Sequence, residues 1–295
     1  MSAPIIVYRR FYSAVKYYYW TSLKNTILLL FVILPCILVS QQHPLAVESA
    51  SLLESGHSQF EFGISHFRNQ PFPLSGLSGN LSKFGSIRFC ISLSEYVELQ
   101  ADGTLLDVLD ITSRKPAFNS ANVISSNPTA DIGDFTVWTK FGIMNEYVSG
   151  FGLSVRFGIQ LPNASNESGL GIDEMNFFSS ILLQKHFIGK WTVNTGLGIL
   201  GDPVNVGEQH DVFIYGIEYA LPVGESTNLL LQTAGRKGHE GIAVYHLANT
   251  KIGLEQSYGD LTVKGFVITN YSSSDHAKGV ELTASYAFQI IEIKR

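Results

Sequence analysis

Between Phe151 and Leu161 the chain alternates without a break. Phe151, Leu153, Val155, Phe157, Ile159 and Leu161 are large and apolar, while Gly152, Ser154, Arg156, Gly158 and Gln160 are small or polar. Successive side chains of a strand point to opposite faces, so the pattern predicts one strand with a greasy face and a wet face. Its length falls at the ~9–11 residues a tilted strand needs to cross a bilayer. The same period recurs over Ser58–Phe67, Gly85–Ser92, Tyr96–Asp110, Asp134–Asn145, Glu174–His186 and Lys190–Leu200. It continues over Asp211–Leu221, Thr227–Gly235, Asn249–Ser257, Asp260–Asn270 and Ala277–Phe288. About twelve strands are predicted, within a range of roughly 10–14, for a meander of this period.

The connections carry an independent signal. Residues 68–84, 111–133, 162–173, 201–210 and 236–248 are long, and 271–276 is of medium length. Between them fall the short connections 93–95, 146–149, 187–189, 222–226 and 258–259. Long and short alternate, as they do when short turns gather at one end of an antiparallel barrel and long loops at the other. Greek-key crossings would impose no such order. The predicted fold is all-β: a closed antiparallel up-and-down transmembrane β-barrel over residues 58–288, with both termini at the short-turn, periplasmic end.

The polar faces collect Glu61, Glu98, Lys140, Arg156, Gln160, Asn194, Glu218, Gln232, Lys251, Glu255, Lys264 and Glu281. A soluble carrier could turn these faces to water, so polarity alone leaves the orientation open. Twelve strands exceed the roughly eight whose interior side chains can fill, which favours a polar lumen and an apolar wall in lipid. Glycines on the polar face (Gly63, Gly142, Gly152, Gly158, Gly196, Gly198, Gly216 and Gly253) leave room there for long charged side chains. Aromatic residues near strand ends, Trp191, Tyr219, Tyr258 and Tyr286 among them, fit girdles at the two interfaces. On this orientation the twelve polar residues line the lumen. Arg156 points inward toward one of Glu61, Glu98, Glu218, Glu255 or Glu281, since facing lipid at mid-depth would cost roughly 2–4 kcal/mol. Opposed charges would either brace the barrel or line a narrow aqueous path of weak charge selectivity.

Residues 1–40 differ in kind. They carry Arg9, Arg10, Lys16 and Lys24, no acid, and the apolar run Thr26–Ser40. This reads as an export signal cleaved near Ser40, the run being short of the roughly 20 residues of a spanning helix. The rival reading is an uncleaved anchor. Removal of residues 1–40 takes the net charge from −5 to −9, which disfavours nucleic acid as a partner. It also leaves Cys90 as a lone thiol, expected to pack as a small hydrophobe. Residues 41–57 show no period and read as a flexible lead-in, and 289–295 as a C-terminal extension.

No Gly-x-Ser-x-Gly, His-Glu-x-x-His, Cys-x-x-Cys or phosphate-loop pattern occurs. A hydrolytic site would draw on His66, His186, His210, His239, His246 or His276, which lie mostly in or near predicted loops. His239, Glu240 and His246 share one long loop, where solvated residues outnumber metal ligands. No catalytic residue, metal or cofactor is expected.

From about Asp131 onward the chain resembles the outer-membrane barrels grouped as the meta-pathway phenol-degradation family. The resemblance rests on Asp131-Ile-Gly-Asp-Phe-Thr-Val-Trp-Thr-Lys-Phe141, Ser154-Val-Arg-Phe-Gly-Ile-Gln-Leu-Pro162, Gly189-Lys-Trp-Thr-Val-Asn-Thr-Gly-Leu-Gly198, Gly201-Asp-Pro203 and Asp211-Val-Phe-Ile-Tyr-Gly-Ile-Glu-Tyr219. It covers a little over half the chain and carries over no functional residue. It implies a barrel that passes small, often aromatic or apolar molecules. The expected function is therefore a monomeric channel or transporter for small solutes in the outer membrane, with loops 68–84 and 111–133 as caps. The alternatives are a closed structural or adhesive barrel working through its outer loops and, third, a barrel hydrolase.

Overall fold

The computed structural model describes residues 46–117, 124–205, 207–238 and 246–290. Twelve long antiparallel strands and one short one account for most of them. The first group is β1 (His57–Phe72), β2 (Leu77–Ser92), β3 (Val97–Arg114), β4 (Thr129–Asp131), β5 (Phe135–Met144) and β6 (Gly152–Leu161). The second is β7 (Asn176–His186), β8 (Lys190–Gly201), β9 (Gln209–Pro222), β10 (Thr227–Lys237), β11 (Leu247–Tyr258), β12 (Leu261–Asn270) and β13 (Lys278–Gln289). Each long strand pairs with its neighbours in sequence, and β1 closes the ring on β13 from His57↔Gln289 to Arg68↔Lys278. β4 is not a wall strand: it adds to the outer part of β3 at Asp107–Leu109, beyond the span that β5 covers.

The alternation decides the two faces. Phe62, Phe157, Leu197, Ile252 and Leu282 lie on the outer surface, each about half exposed, while the intervening polar residues are buried or half-buried. Burying charge inward and exposing hydrocarbon outward is stable only where lipid surrounds the wall. The barrel is therefore of the transmembrane type. Among the described residues no helix is long and apolar enough to cross a membrane.

The first connection is shorter than its sequence suggests. Residues 68–84 were expected as a long loop, but β1 and β2 continue through them to a tight turn at 73–76. The cause is a pair of register shifts, one at Gly85 and one after Phe67. Gly85 adopts φ +70° and Asn69 φ +58°, left-handed conformations that fit bulges. An extra residue flips the parity of everything beyond it. Lys83 and Arg88 thus both face inward although one is odd and one even, and the run looks aperiodic while the ladder persists. The remaining connections keep the expected order, with β7 to β8 joined by 187–189 and β11 to β12 by 259–260. The turn 145–151 holds a single helical turn, α1 (Glu146–Ser149), capped by the Asn145 side chain.

Inside the wall, glycine makes room for aromatic packing. Trp138 lies flat over Gly158, where an added Cβ would stand 2.2 Å from a ring carbon. Trp138 also donates through Nε1 to Asp102 at 2.7 Å and packs against Phe178 with ring centroids 5.8 Å apart. Gly158→Ala should therefore push the indole off its place and destabilise the barrel by about 1–3 kcal/mol, the usual cost of overpacking. Urea unfolding in phospholipid bilayers measures it, and an unchanged midpoint would show that the ring is free to move.

Candidate functional site

The lumen is occupied by the chain's own N-terminal segment. Residues 46–56 form no strand, yet they are not a free lead-in. The Glu48 N–H donates to Asn194 Oδ1 and Asn194 Nδ2 donates back to the Glu48 carbonyl at 2.8 Å. Ser154 Oγ donates to the Ala50 carbonyl, Lys140 Nζ to the Ser51 carbonyl, and the Leu53 N–H to Glu98 Oε2. At the short-turn rim the Gly56 N–H reaches the Ser92 carbonyl and the Ile290 N–H the Gly56 carbonyl. Three wall glycines face this segment: Gly216 toward Val47, Gly152 toward Ala50 and Gly142 toward Leu52.

Glu48 is the centre of the arrangement. Its carboxylate is 3.0 Å from Lys140 Nζ, 3.7 Å from Arg156 Nη1, 3.1 Å from the Gln100 amide nitrogen, and paired with Arg88. Lys140, 1 % exposed, also stands 3.6 Å from Glu98. Removing one partner from a buried ion pair typically costs 3–5 kcal/mol, so these charges hold one another in place. Burial alone would push the Glu48 carboxyl up. Arg88, Lys140 and Arg156 more than offset that and hold it well below the usual carboxylate range. The Arg156 guanidinium lies over the Trp138 ring at 4.0 Å, so the aromatic residue sets its direction.

Of the twelve residues expected to line the lumen, Glu98, Lys140, Arg156, Gln160, Asn194 and Gln232 are buried and Glu61, Glu218, Lys251, Glu255, Lys264 and Glu281 half-buried. Arg156 points inward as predicted, to Glu48 and not to one of the five wall glutamates. Of those five, Glu98 meets Lys140, Glu255 meets Lys264 at 3.4 Å, and Glu281 meets Lys251 at 3.0 Å. Glu61 stands opposite Arg88 in the ladder, and Glu218 borders a cavity. Gln160 bonds Asp134 and Asn176 near the long-loop end, Asn194 holds Glu48, and Gln232 is buried opposite Lys251. The expected lining omits Glu48, Arg88, Gln100 and Gln184, although Gln100 and Gln184 fall on the polar side of the alternation. Arg88 shared its parity with the polar side of 85–92, and that parity was the available signal. Glu48, the first acid of the chain, lay in a stretch without period.

The opposite end is closed by apolar contacts. Leu74 of the β1–β2 turn packs with Trp138, Phe178, Leu200 and Val212, with Ile172 against them. Leu170 joins Phe67, Leu77, Leu81, Leu109 and Ile111, with Ile124 against that group. The turn 73–76 and the loop 162–175 are tied by Ser75 Oγ donating to the Gly169 carbonyl at 2.8 Å. Residues 124–134 belong to the same cap through Thr129 Oγ1 and the Ser168 carbonyl, 2.8 Å apart. The expected caps 68–84 and 111–133 thus reduce to 73–76 and 124–134, with 162–175 added. Residues 118–123 lie outside the described residues.

At the short-turn end, the β8–β12 side of the lumen keeps an open cavity of about 530 Å³. Glu218, Asn228, Leu230, Glu255 and Lys264 line it, with the turn 186–190 at its mouth. Of the histidines, His186 borders this cavity. His66 Nδ1 and Ser82 Oγ are 2.7 Å apart on the outer face, and His186 bonds Glu146 at the short-turn rim. His210 Nε2 is 2.8 Å from Asp202, whose carboxyl also accepts from the Val204 and Asn205 N–H groups. Burial pushes the Asp202 carboxyl up, but these hydrogen bonds hold it down at about 2. Glu208 completes a group within 4.8 Å, though the Asp202 oxygens are already taken up by their own loop. His239 and Glu240 lie outside the described residues.

A lipid-facing ring of twelve strands, with an ion-paired segment in its lumen and an apolar cap, defines a plugged transmembrane β-barrel. No family model matches the sequence, and no curated protein matches it. Solved structures do match in fold. The COG4313 outer membrane channel from Pseudomonas putida F1 is 14% identical with a TM-score of 0.59, over 83% of this chain and 100% of that one. The translocator domain of the autotransporter NalP from Neisseria meningitidis is 11% identical with a TM-score of 0.49, over 80% and 90%. The KdgM porin is 8% identical with a TM-score of 0.46, over 78% and 99%. At these identities the likeness is one of fold.

Proposed function

We propose that the chain is a monomeric outer-membrane channel or transporter, exported by its N-terminal signal, that passes small solutes passively. The observation that carries this reading is the nature of what blocks the lumen. Residues 46–53 share no ladder with the wall and are held to it by side chains, so they can leave without opening the barrel. With the first and last strands meeting at His57 and Gln289 on the short-turn side, that end is periplasmic and the cap at 73–76, 124–134 and 162–175 is extracellular. The lumen then offers a passing solute an apolar layer at Trp138, Phe178, Leu200 and Val212, followed by a charged one. Small apolar and aromatic molecules suit the first, and mixed charge in the second gives weak ionic selectivity. The resolved likeness to an outer membrane channel is consistent with this at the level of fold.

A second reading, a closed structural or adhesive barrel acting through its outer loops, is favoured by the filling of the lumen from both ends. Planar bilayers separate the two. The channel reading expects discrete conductance steps from the purified full-length protein. Complete silence, in the native chain and in one lacking the lumen segment, would favour the closed barrel.

A further inference from the structure

Four donors on four different strands converge on a carboxylate that belongs to no strand. Arg88 comes from β2, Gln100 from β3, Lys140 from β5 and Arg156 from β6, and all four address Glu48. The donors outnumber what Glu48 can accept. With the glutamate in place, the buried Nε atoms of Arg88 and Arg156 have no hydrogen-bond partner, and Arg156 Nη1 stands at 3.7 Å, beyond hydrogen-bond length. The wall around them is built: Trp138 sets the Arg156 guanidinium from below, and Asp102 fixes Trp138. The cluster lies close to the cavity that opens at the short-turn end. Glu218, in the wall of the open cavity, pairs in the ladder with Thr192, one inward position from the Asn194 that holds the Glu48 backbone.

We propose that Arg88, Gln100, Lys140 and Arg156 form a binding site for a small organic carboxylate, that Glu48 occupies it as a tethered stand-in, and that a free carboxylate displaces it and loosens the lumen segment. The inference rests on the reading of the lumen as a solute path and names a class of solute for it. A carboxylate matches the site because Glu48 is one: two oxygens meet the four donors, and the unpartnered Nε atoms supply the surplus. Acid is a poor trigger by comparison. A carboxyl held well below its usual range stays charged, and so keeps the segment in place, until pH falls far below neutrality. A tethered group acts at an effective concentration of millimolar order, so millimolar free carboxylate can compete with it.

The test reads movement of the segment and not conductance, so it fails independently of the channel reading. In a Cys90→Ser, Ala50→Cys chain folded into bilayers, the buried position 50 should react slowly with a maleimide. Butyrate at millimolar to tens of millimolar concentration should raise that rate by about tenfold over chloride at the same ionic strength. Butyramide should not. Adding Glu48→Gln should make labelling fast and insensitive to butyrate. Retained heat-modifiable migration on a gel shows that each variant is a folded barrel. Equal acceleration by chloride would mean screening, and equal acceleration by butyramide would mean apolar binding; either overturns the proposal. So does fast labelling in Glu48→Gln with no response of the native Glu48 chain to butyrate, or slow labelling throughout.

Discussion

Deleting residues 46–54 should raise single-channel conductance in planar bilayers severalfold over the full-length protein, while the barrel stays folded. The wall closes through the β1–β13 ladder, from His57↔Gln289 onward, and that ladder begins after the deleted stretch. The segment fills the lumen beside β2–β9 and leaves the β8–β12 side as a cavity of about 530 Å³. Removing it joins that cavity to the space beside Lys140 and Arg156. Loss of Glu48 from a site that stayed dry would cost several kcal/mol, because three cations would lose their shared partner. Here the same deletion admits water, which solvates Arg88 and Arg156, while Lys140 keeps Glu98 at 3.6 Å. Stability should fall far less than the dry estimate. A deletion that leaves conductance at the full-length level would place the block at the apolar cap of Leu74 and Leu170 instead.

Phe157→Arg should destabilise the barrel by roughly 2–4 kcal/mol, and Tyr258→Arg by about 0–1 kcal/mol. Both native side chains face outward, Phe157 54% exposed and Tyr258 64% exposed. They differ in depth: Phe157 sits mid-way along β6, whereas Tyr258 ends β11 at the short-turn rim. A cation at the rim reaches headgroups and water, and one at mid-depth cannot. Reversible urea unfolding into phospholipid bilayers reads both values. Equal small effects at the two positions would sink the lipid-facing assignment of the outer surface. Arg156, next to Phe157 in sequence, is the internal control: it carries its charge at the same depth on the inner face, against Glu48.

A good part of this arrangement was legible before any coordinate. A period of two is a local property of the backbone, so each stretch of apolar and polar alternation announced its own strand and its own inner face. The polar side of that alternation carries Lys140, Arg156 and Asn194, which are buried, and Lys264 and Glu281, which are half-buried. Where the period slips, at the bulges around Asn69 and Gly85, local alternation is lost and a continuous hairpin has the pattern of a loop.

The amino-acid pattern therefore set the class of the protein: strands, their order, their two faces and the charged character of the lumen. It could not say what stands in that lumen. Glu48 and Asn194 are 146 positions apart, and Glu48 and Lys140 are 92 apart. Such pairs leave no trace in a local period. Only closure of the ring brings β2, β3, β5, β6 and β8 around one point, and only then does a stretch with no pattern of its own find donors for the Glu48 carboxylate. The partner of Arg156, and with it the difference between an open pore and a plugged one, is a product of that closure.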